Sequence, residues 1–231
     1  MTAADRDQQQ DQASKARARD SKPRIRDAEA TRGRILAAAK REFSRLGLAG
    51  ARVDTIADKA RANKRMIYHY FGNKEALFQA VIEQAYVDIR TAETRLNLED
   101  LPPVEALERL VRFTWTYYLD NPEFITLVNS ENLHRAKHLK KSPLVQSYSR
   151  QYVDLVANIL ERGTAEGVFR EGVNPVQLNI TIAAIGYYYL TNRFTGSIIY
   201  ERDLMDREAL DERLRFNIDT ILRLVCVRRT P

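Results

Sequence analysis

Read at 3.6 residues per turn, Lys64, Arg65, Tyr68 and His69 fall on one side of a short segment, and Met66, Ile67, Tyr70 and Phe71 on the other. Two cations, a phenol and an imidazole on one exposed face contain no nucleophile held by a base, so they make a poor catalytic set. They suit a polyanion, since ammonium and guanidinium groups bind phosphate oxygens and base edges alike. A helix that presents such a face has the dimensions of the DNA major groove.

The flanking residues explain how that face is held. Val53, Ile56, Ala57 and Ala60 recur at helical spacing and give a preceding short helix one apolar side. Asn63 offers a side-chain oxygen to the first N–H groups of the second helix, expected over residues 64–71. Two short helices joined by a tight turn make a helix-turn-helix, with the second as the reading helix. Gly72 then breaks the chain, and Asn73 caps a further helix whose first turn carries Lys74, where free N–H groups and the helix dipole attract an anion. The assignment that follows puts Lys64 and Arg65 on base edges. Arg52, Arg61, Tyr68, His69 and Lys74 go to phosphates, and Asn63 serves as the cap between them.

Charge is divided in the same sense. Residues 1–74 carry 18 Lys/Arg against 9 Asp/Glu, and the remaining residues carry 19 against 22, within a net charge of +6. A basic segment joined to a slightly acidic remainder is the electrostatic footprint of a phosphate-binding module attached to a second domain. The expected helices near the basic segment have no large exposed apolar face, which argues against membrane-surface binding.

The run I-A-D-K-A…N-K-R-M-I-Y-H-Y-F-G-N-K-E-A-L, within residues 31–81, resembles the signature of the TetR/AcrR transcriptional regulators. Two positions depart from that pattern. The family usually has glycine where Arg61 stands and threonine where Met66 stands, so a slightly different turn or an added phosphate contact is expected at Arg61. The resemblance implies an all-α protein with a three-helix head and a C-terminal domain. That domain binds a small-molecule effector, and its last two long helices pair with those of a second copy.

The whole chain fits that outline. With 231 residues, 44% of them hydrophobic, it can bury one large or two modest cores. No apolar run is long enough to span a bilayer, no apolar leader segment is visible, and one cysteine, Cys226, fits a reducing cytoplasm. Residues 1–27, almost without large apolar side chains, are expected to form a disordered basic arm. Residues 28–76 are expected to be the DNA-binding head, its first helix burying Ile35, Leu36, Ala39, Phe43 and Leu46 and stopping at Gly47. Residues 77–231 are expected to form the effector-binding and dimerisation domain, for about nine helices in all. Asn121–Pro122, Ser142–Pro143 and Asn174–Pro175 mark helix starts, because proline suits the first helical position. One helix is expected to run from Pro122 to about Leu139.

Aromatic and amide side chains gather in the second domain, and Trp115, Tyr118 and Tyr152 are the candidates for an effector pocket, with core packing the competing role. Glu131, His134 and His138 share one helical face at the spacing of a two-histidine metal site, but the strongly basic segment around them repels a cation and no metal is expected. A phosphate-cradling glycine loop, a paired-cysteine motif and a G-x-S-x-G turn are all missing. The reading is a dimeric DNA-binding repressor, with no enzyme activity and no cofactor, released from a double-stranded operator by a small molecule. The alternatives are an effector-independent or activating DNA-binding protein and, behind them, an enzyme with a carboxylate-based site.

Overall fold

A computed structural model describes the backbone of residues 3–227 and the side chains from residue 27 onward, apart from Lys141. Among the described residues there are ten α-helices and two single 3-10 turns, with no strand beyond one isolated bridge. The chain divides into two compact units, Met1–Val81 and Ile82–Pro231, and the division falls inside one helix.

The first unit holds α1 (Ala3–Gly50), α2 (Val53–Ala60), α3 (Lys64–Phe71) and the start of α4 (Lys74–Thr94). Its core is the apolar set expected from periodicity: Ile35, Ala39 and Phe43 with Ile56, Ala57 and Ala60, closed by Ile67, Leu77 and Phe78. Phe43 and Phe78 meet edge to face at 5.2 Å. Gly47 does not end the helix outright. It breaks the helical geometry at φ 66°, and the helix resumes to Gly50. The break rotates the register, so Leu48 is buried where Leu46 was expected, and Leu46 is exposed.

Residues 3–26 continue α1 as helical backbone, where the composition argued for a disordered arm. The composition excludes burial but does not exclude a helix. Ala, Gln, Lys and Arg are strong helix formers, and extending a helix already nucleated costs far less than starting one. The basic side chains expected there lie outside the described residues.

The second unit contains α5 (Pro103–Asp120), α6 (Pro122–Leu133), α7 (Pro143–Ala165), α8 (Pro175–Thr191), α9 (Arg193–Ile199) and α10 (Arg207–Val225). Four of these begin with proline at the first turn, as their sequences predict. Ser142 caps α7 by accepting from the Val145 N–H, and Asn174 caps α8 by accepting from those of Val176 and Gln177. The core packs Leu107, Leu110 and Val111 of α5 against Val156 and Ile159 of α7, Ile182 of α8 and Ile221 of α10.

Two helices differ from expectation. The one expected to reach about Leu139 stops at Leu133, because Arg135 and Ala136 both take positive φ and turn the chain. The short α9 after Asn192 was not anticipated and raises the number from nine to ten. Near the chain's C-terminal end, the Arg170 N–H donates to the Val225 carbonyl at 2.8 Å and the Val227 N–H to that of Val168 at 3.1 Å.

Phe169 is fully buried, with its ring laid over Gly163. A methyl carbon at residue 163 would lie 2.0 Å from a Phe169 ring carbon, and real Cβ atoms never come so close. Gly163→Ala is therefore expected to destabilise the second unit by about 1–3 kcal/mol, read as a lowered midpoint in thermal or urea unfolding. An unchanged midpoint would mean that Phe169 can leave its seat without cost.

Candidate nucleic-acid interface

The helix-turn-helix is assembled from local rules. Arg52 leads into α2 in extended conformation, and Ala60 ends it. Arg61 then takes the left-handed conformation, φ 49° and ψ 47°, with its N–H donating to the carbonyl of Asp58 and the Ala62 N–H to that of Ala57. This is the geometry that glycine adopts without a steric penalty. The expectation of a slightly different turn at Arg61 is thus corrected: the turn is the one glycine favours, built with an arginine. Asn63 closes it by accepting from the Arg65 N–H at 2.8 Å.

α1 braces the pair from behind. Glu42, only 1% exposed, holds Lys59 of α2 at 2.7 Å and Arg45 at 3.7 Å. The hydrogen bond from Lys59 keeps the Glu42 carboxyl below the usual carboxylate range. Arg34 donates to the carbonyl of Ala60, and the Arg32 guanidinium lies over the Phe71 ring at 5.3 Å.

α3 is oriented as its periodicity predicts. Ile67 is buried, Met66, Tyr70 and Phe71 are half-buried, and Lys64, Arg65, Tyr68 and His69 are exposed. Arg52, Arg61 and Asn63 are exposed as well. Seven of the eight sequence candidates are therefore accessible, and the eighth, Lys74, is half-buried. Lys74 donates to the Ala49 carbonyl at 3.2 Å, while Asn73 caps α4 by accepting from the Ala76 N–H at 2.8 Å.

One participant escaped the sequence reading. The Lys64 ammonium is paired with Asp54 at 2.7 Å, and both side chains are exposed. Their hydrogen bond pushes the Lys64 pKa up and the Asp54 pKa down. Residues ten positions apart on two different helices show no periodicity, so only the turn geometry brings them together.

In the second unit, Trp115 and Tyr118 are buried in an aromatic cluster. Trp115 meets Tyr189 edge to face, and Tyr118 stacks on Phe124. Tyr152 does line a cavity of about 330 Å³, together with Arg90, Glu93, Tyr148 and Leu155. The Tyr152 and Tyr118 phenols are pushed well up by burial. Glu131 and His138 form a buried pair at 2.6 Å, and the second carboxylate oxygen accepts from the N–H groups of His138 and Leu139. Glu131 therefore ties down the turn after α6, and no group of three metal-ligating side chains occurs among the described residues.

Comparison with known proteins follows this geometry closely. A model described as bacterial regulatory proteins, tetR family, matches residues 35–81, and one described as tetracyclin repressor-like, C-terminal domain, matches residues 103–221. The HTH-type transcriptional repressor NicS of Pseudomonas putida is 40% identical over 200 residues, covering 87% of this chain and 94% of that protein. The HTH-type transcriptional repressor SCO4008 of Streptomyces coelicolor is 34% identical over 160 residues, covering 69% and 78%. A solved bacterial regulatory protein of the tetR family from Rhodococcus RHA1 superposes with a TM-score of 0.66 at 18% identity, covering 86% and 98%.

The left-handed Arg61 carries a local test. A non-glycine residue in that conformation costs about 1 kcal/mol, partly offset by the greater unfolded-state freedom of glycine. Arg61→Gly is expected to leave thermal stability unchanged or raise it by up to about 1 kcal/mol. A loss larger than that, measured by thermal melting, would mean that the arginine side chain and not the backbone holds the turn.

Proposed function

We propose residue roles for a chain that belongs to the TetR family of bacterial regulatory proteins and is a DNA-binding transcriptional regulator. It represses by occupying an operator as a dimer, in the cytoplasm, and a small molecule bound in the second unit releases it. The carrying observation is the surface made by Arg52, Arg61, Asn63, Lys64, Arg65, Tyr68 and His69, exposed on a scaffold whose apolar face is buried. Lys64 and Arg65 reach base edges in the major groove. Arg52, Arg61, Tyr68 and His69 contact phosphates, and Lys74 adds a charge at the start of α4.

Lys64 reaches a base only by giving up Asp54. An exposed ion pair contributes little, so the exchange is cheap where a guanine edge or phosphate takes its place. Where none does, the pair stays closed and Asp54 cancels the charge that Lys64 would bring to the DNA backbone.

Apolar side chains exposed on the last helices support pairing of two copies. Val176, Ile180 and Tyr188 lie on one face of α8, and Phe216 and Leu224 on one face of α10, all more than a third exposed. Exposed apolar faces of this extent belong to association surfaces. Two copies present two reading helices about one helical turn, ~34 Å, apart on a palindrome-like site. Selection of bound DNA from a random duplex pool tests the proposal, since half-site, spacing and symmetry are read together. An enriched pair of inverted half-sites supports it, and no enrichment overturns it.

On the selected operator, Lys64→Ala or Arg65→Ala is expected to cost about 1–3 kcal/mol and to relax specificity at one base pair. Lys74→Ala is expected to weaken all sequences alike and to make the salt slope shallower by about one unit. Asp54→Asn is expected to strengthen non-specific binding more than operator binding, narrowing the ratio between them. Fluorescence anisotropy at several salt concentrations measures all three. Wild-type affinity in both Lys64 and Arg65 variants would remove α3 as the reader.

A further inference from the structure

The cavity beside Tyr152 has a charge pattern that selects its occupant. Its floor is formed by the last turns of α4, which supply Arg90 and Glu93, and by α7, which supplies Tyr148, Tyr152 and Leu155. Its exposed mouth is lined by Glu99 and Asp100 of the following turn together with Thr94, Asn97 and Gln151. Arg162 fixes that turn, donating to the carbonyls of Leu101 at 2.7 Å and Leu98 at 3.0 Å. The acidic mouth is thus a held element of the fold.

Arg90 is the one cation of the lining, and it is already committed. Its guanidinium pairs with Glu93 at 2.5 Å and lies over the Tyr152 ring at 3.8 Å. Its buried Nε–H has no hydrogen-bond partner. Against it stand three carboxylates, those of Glu93, Glu99 and Asp100, around about 330 Å³ of space. An anion would be repelled by Glu99 and Asp100 and would compete with Glu93 for Arg90. A cation is attracted by all three and meets the apolar walls of Leu98 and Leu155 and the ring of Tyr148.

We infer that this cavity binds a small organic cation, a protonated amine carrying a compact apolar or aromatic body, with Glu93 as the carboxylate that receives the ammonium. The inference rests on the reading of the second unit as effector-binding and names the class of effector. Glu93 is only 4% exposed, and burial outweighs Arg90 in pushing its pKa up to about 7. The groups acting on it are Arg90 on its own helix, Tyr117 and Tyr118 of α5, and Tyr152 of α7; the three phenols, raised by burial, stay neutral. A bound cation favours the ionised carboxyl, so amine binding tightens as pH rises through neutrality and releases a proton.

The test uses the purified full chain with benzylamine and putrescine as cations, benzyl alcohol as the neutral analogue and benzoate as the anion. Melting temperature, calorimetric affinity and operator occupancy are followed for each. At least one amine is expected to bind and raise the melting temperature, more strongly at higher pH, while benzoate does not. Glu93→Gln is expected to weaken that amine by about tenfold or more. Because Glu93 is buried and its replacement could disturb folding, the exposed mouth is tested separately. Glu99→Gln combined with Asp100→Asn is expected to weaken the amine several-fold in a protein that melts normally.

Benzoate binding where neither amine does would overturn the inference, as would failure of both amines to bind. Amine affinity undiminished in both variants would place the amine elsewhere and also overturn it. An amine that binds through Glu93 but leaves operator occupancy unchanged supports the site and removes only its coupling to DNA. Loss of operator selection in the unliganded protein, by contrast, would count against the regulator reading and not against the cavity.

Discussion

The reading surface depends on one backbone turn. Three residues, Arg61 to Asn63, reverse the chain between α2 and α3, and each meets a separate requirement. Arg61 supplies the left-handed step, Ala62 returns an N–H to the carbonyl of Ala57, and Asn63 satisfies the N–H of Arg65. An eight-residue helix is too short to be stable alone in water. α3 persists because its cap is satisfied, Ile67 is buried, and α2 is anchored to α1 through Glu42 and Lys59. With that support, Lys64, Arg65, Tyr68 and His69 stay exposed on α3 while its apolar side is held.

Buried charge in the second unit serves local shape. An isolated ion in an apolar interior is expensive, so each is placed where its partners also fix a turn or a wall. Glu131 accepts from two backbone N–H groups and from His138, and this ties down the irregular stretch that follows α6. Arg162 does the same from the cationic side for the turn at residues 98–101. His138, spaced with His134 as for a metal, is thus one half of a hydrogen-bonded clasp with Glu131. The basic surroundings that argued against a metal ion do not argue against a paired carboxylate.

Local rules made most of the helical pattern legible. Proline at the first turn, Ser142 and Asn174 as caps, and apolar spacing placed six helix starts and nearly all of the first unit's core. What stayed hidden needs long-range or irregular geometry. The break at Gly47 exchanges Leu46 for Leu48 because one non-helical residue shifts every later side chain, and glycine in a sequence does not say whether a helix ends or resumes. Arg135 and Ala136 enter positive φ although neither residue type favours it, since the Glu131 clasp demands the turn. α9 follows α8 with no proline or glycine between them to mark a new helix start. The cavity joins residues from Arg90 to Leu155, and of its lining only Tyr152 was legible as a large mid-helix aromatic. Asp54 beside Lys64 was hidden for the same reason.

Cavity and reading surface share one helix, and energetics decide whether that matters. α4 carries Lys74 in its first turn and Arg90 and Glu93 in its last. A ligand that merely filled space would bind alike to the operator-competent and released conformations, and equal binding shifts no equilibrium however tight it is. The proposed cation differs because it draws on the Glu93 carboxylate that Arg90 also holds. Arg90 keeps its stacking on Tyr152 and shares the carboxylate with the ammonium, so the geometry of the original pair must change. A conformation of α4 that depends on the original pair is thereby disfavoured relative to one that does not. A coupling of 1–3 kcal/mol is typical of allosteric sites, and exchange of one buried pair is an interaction of about that size.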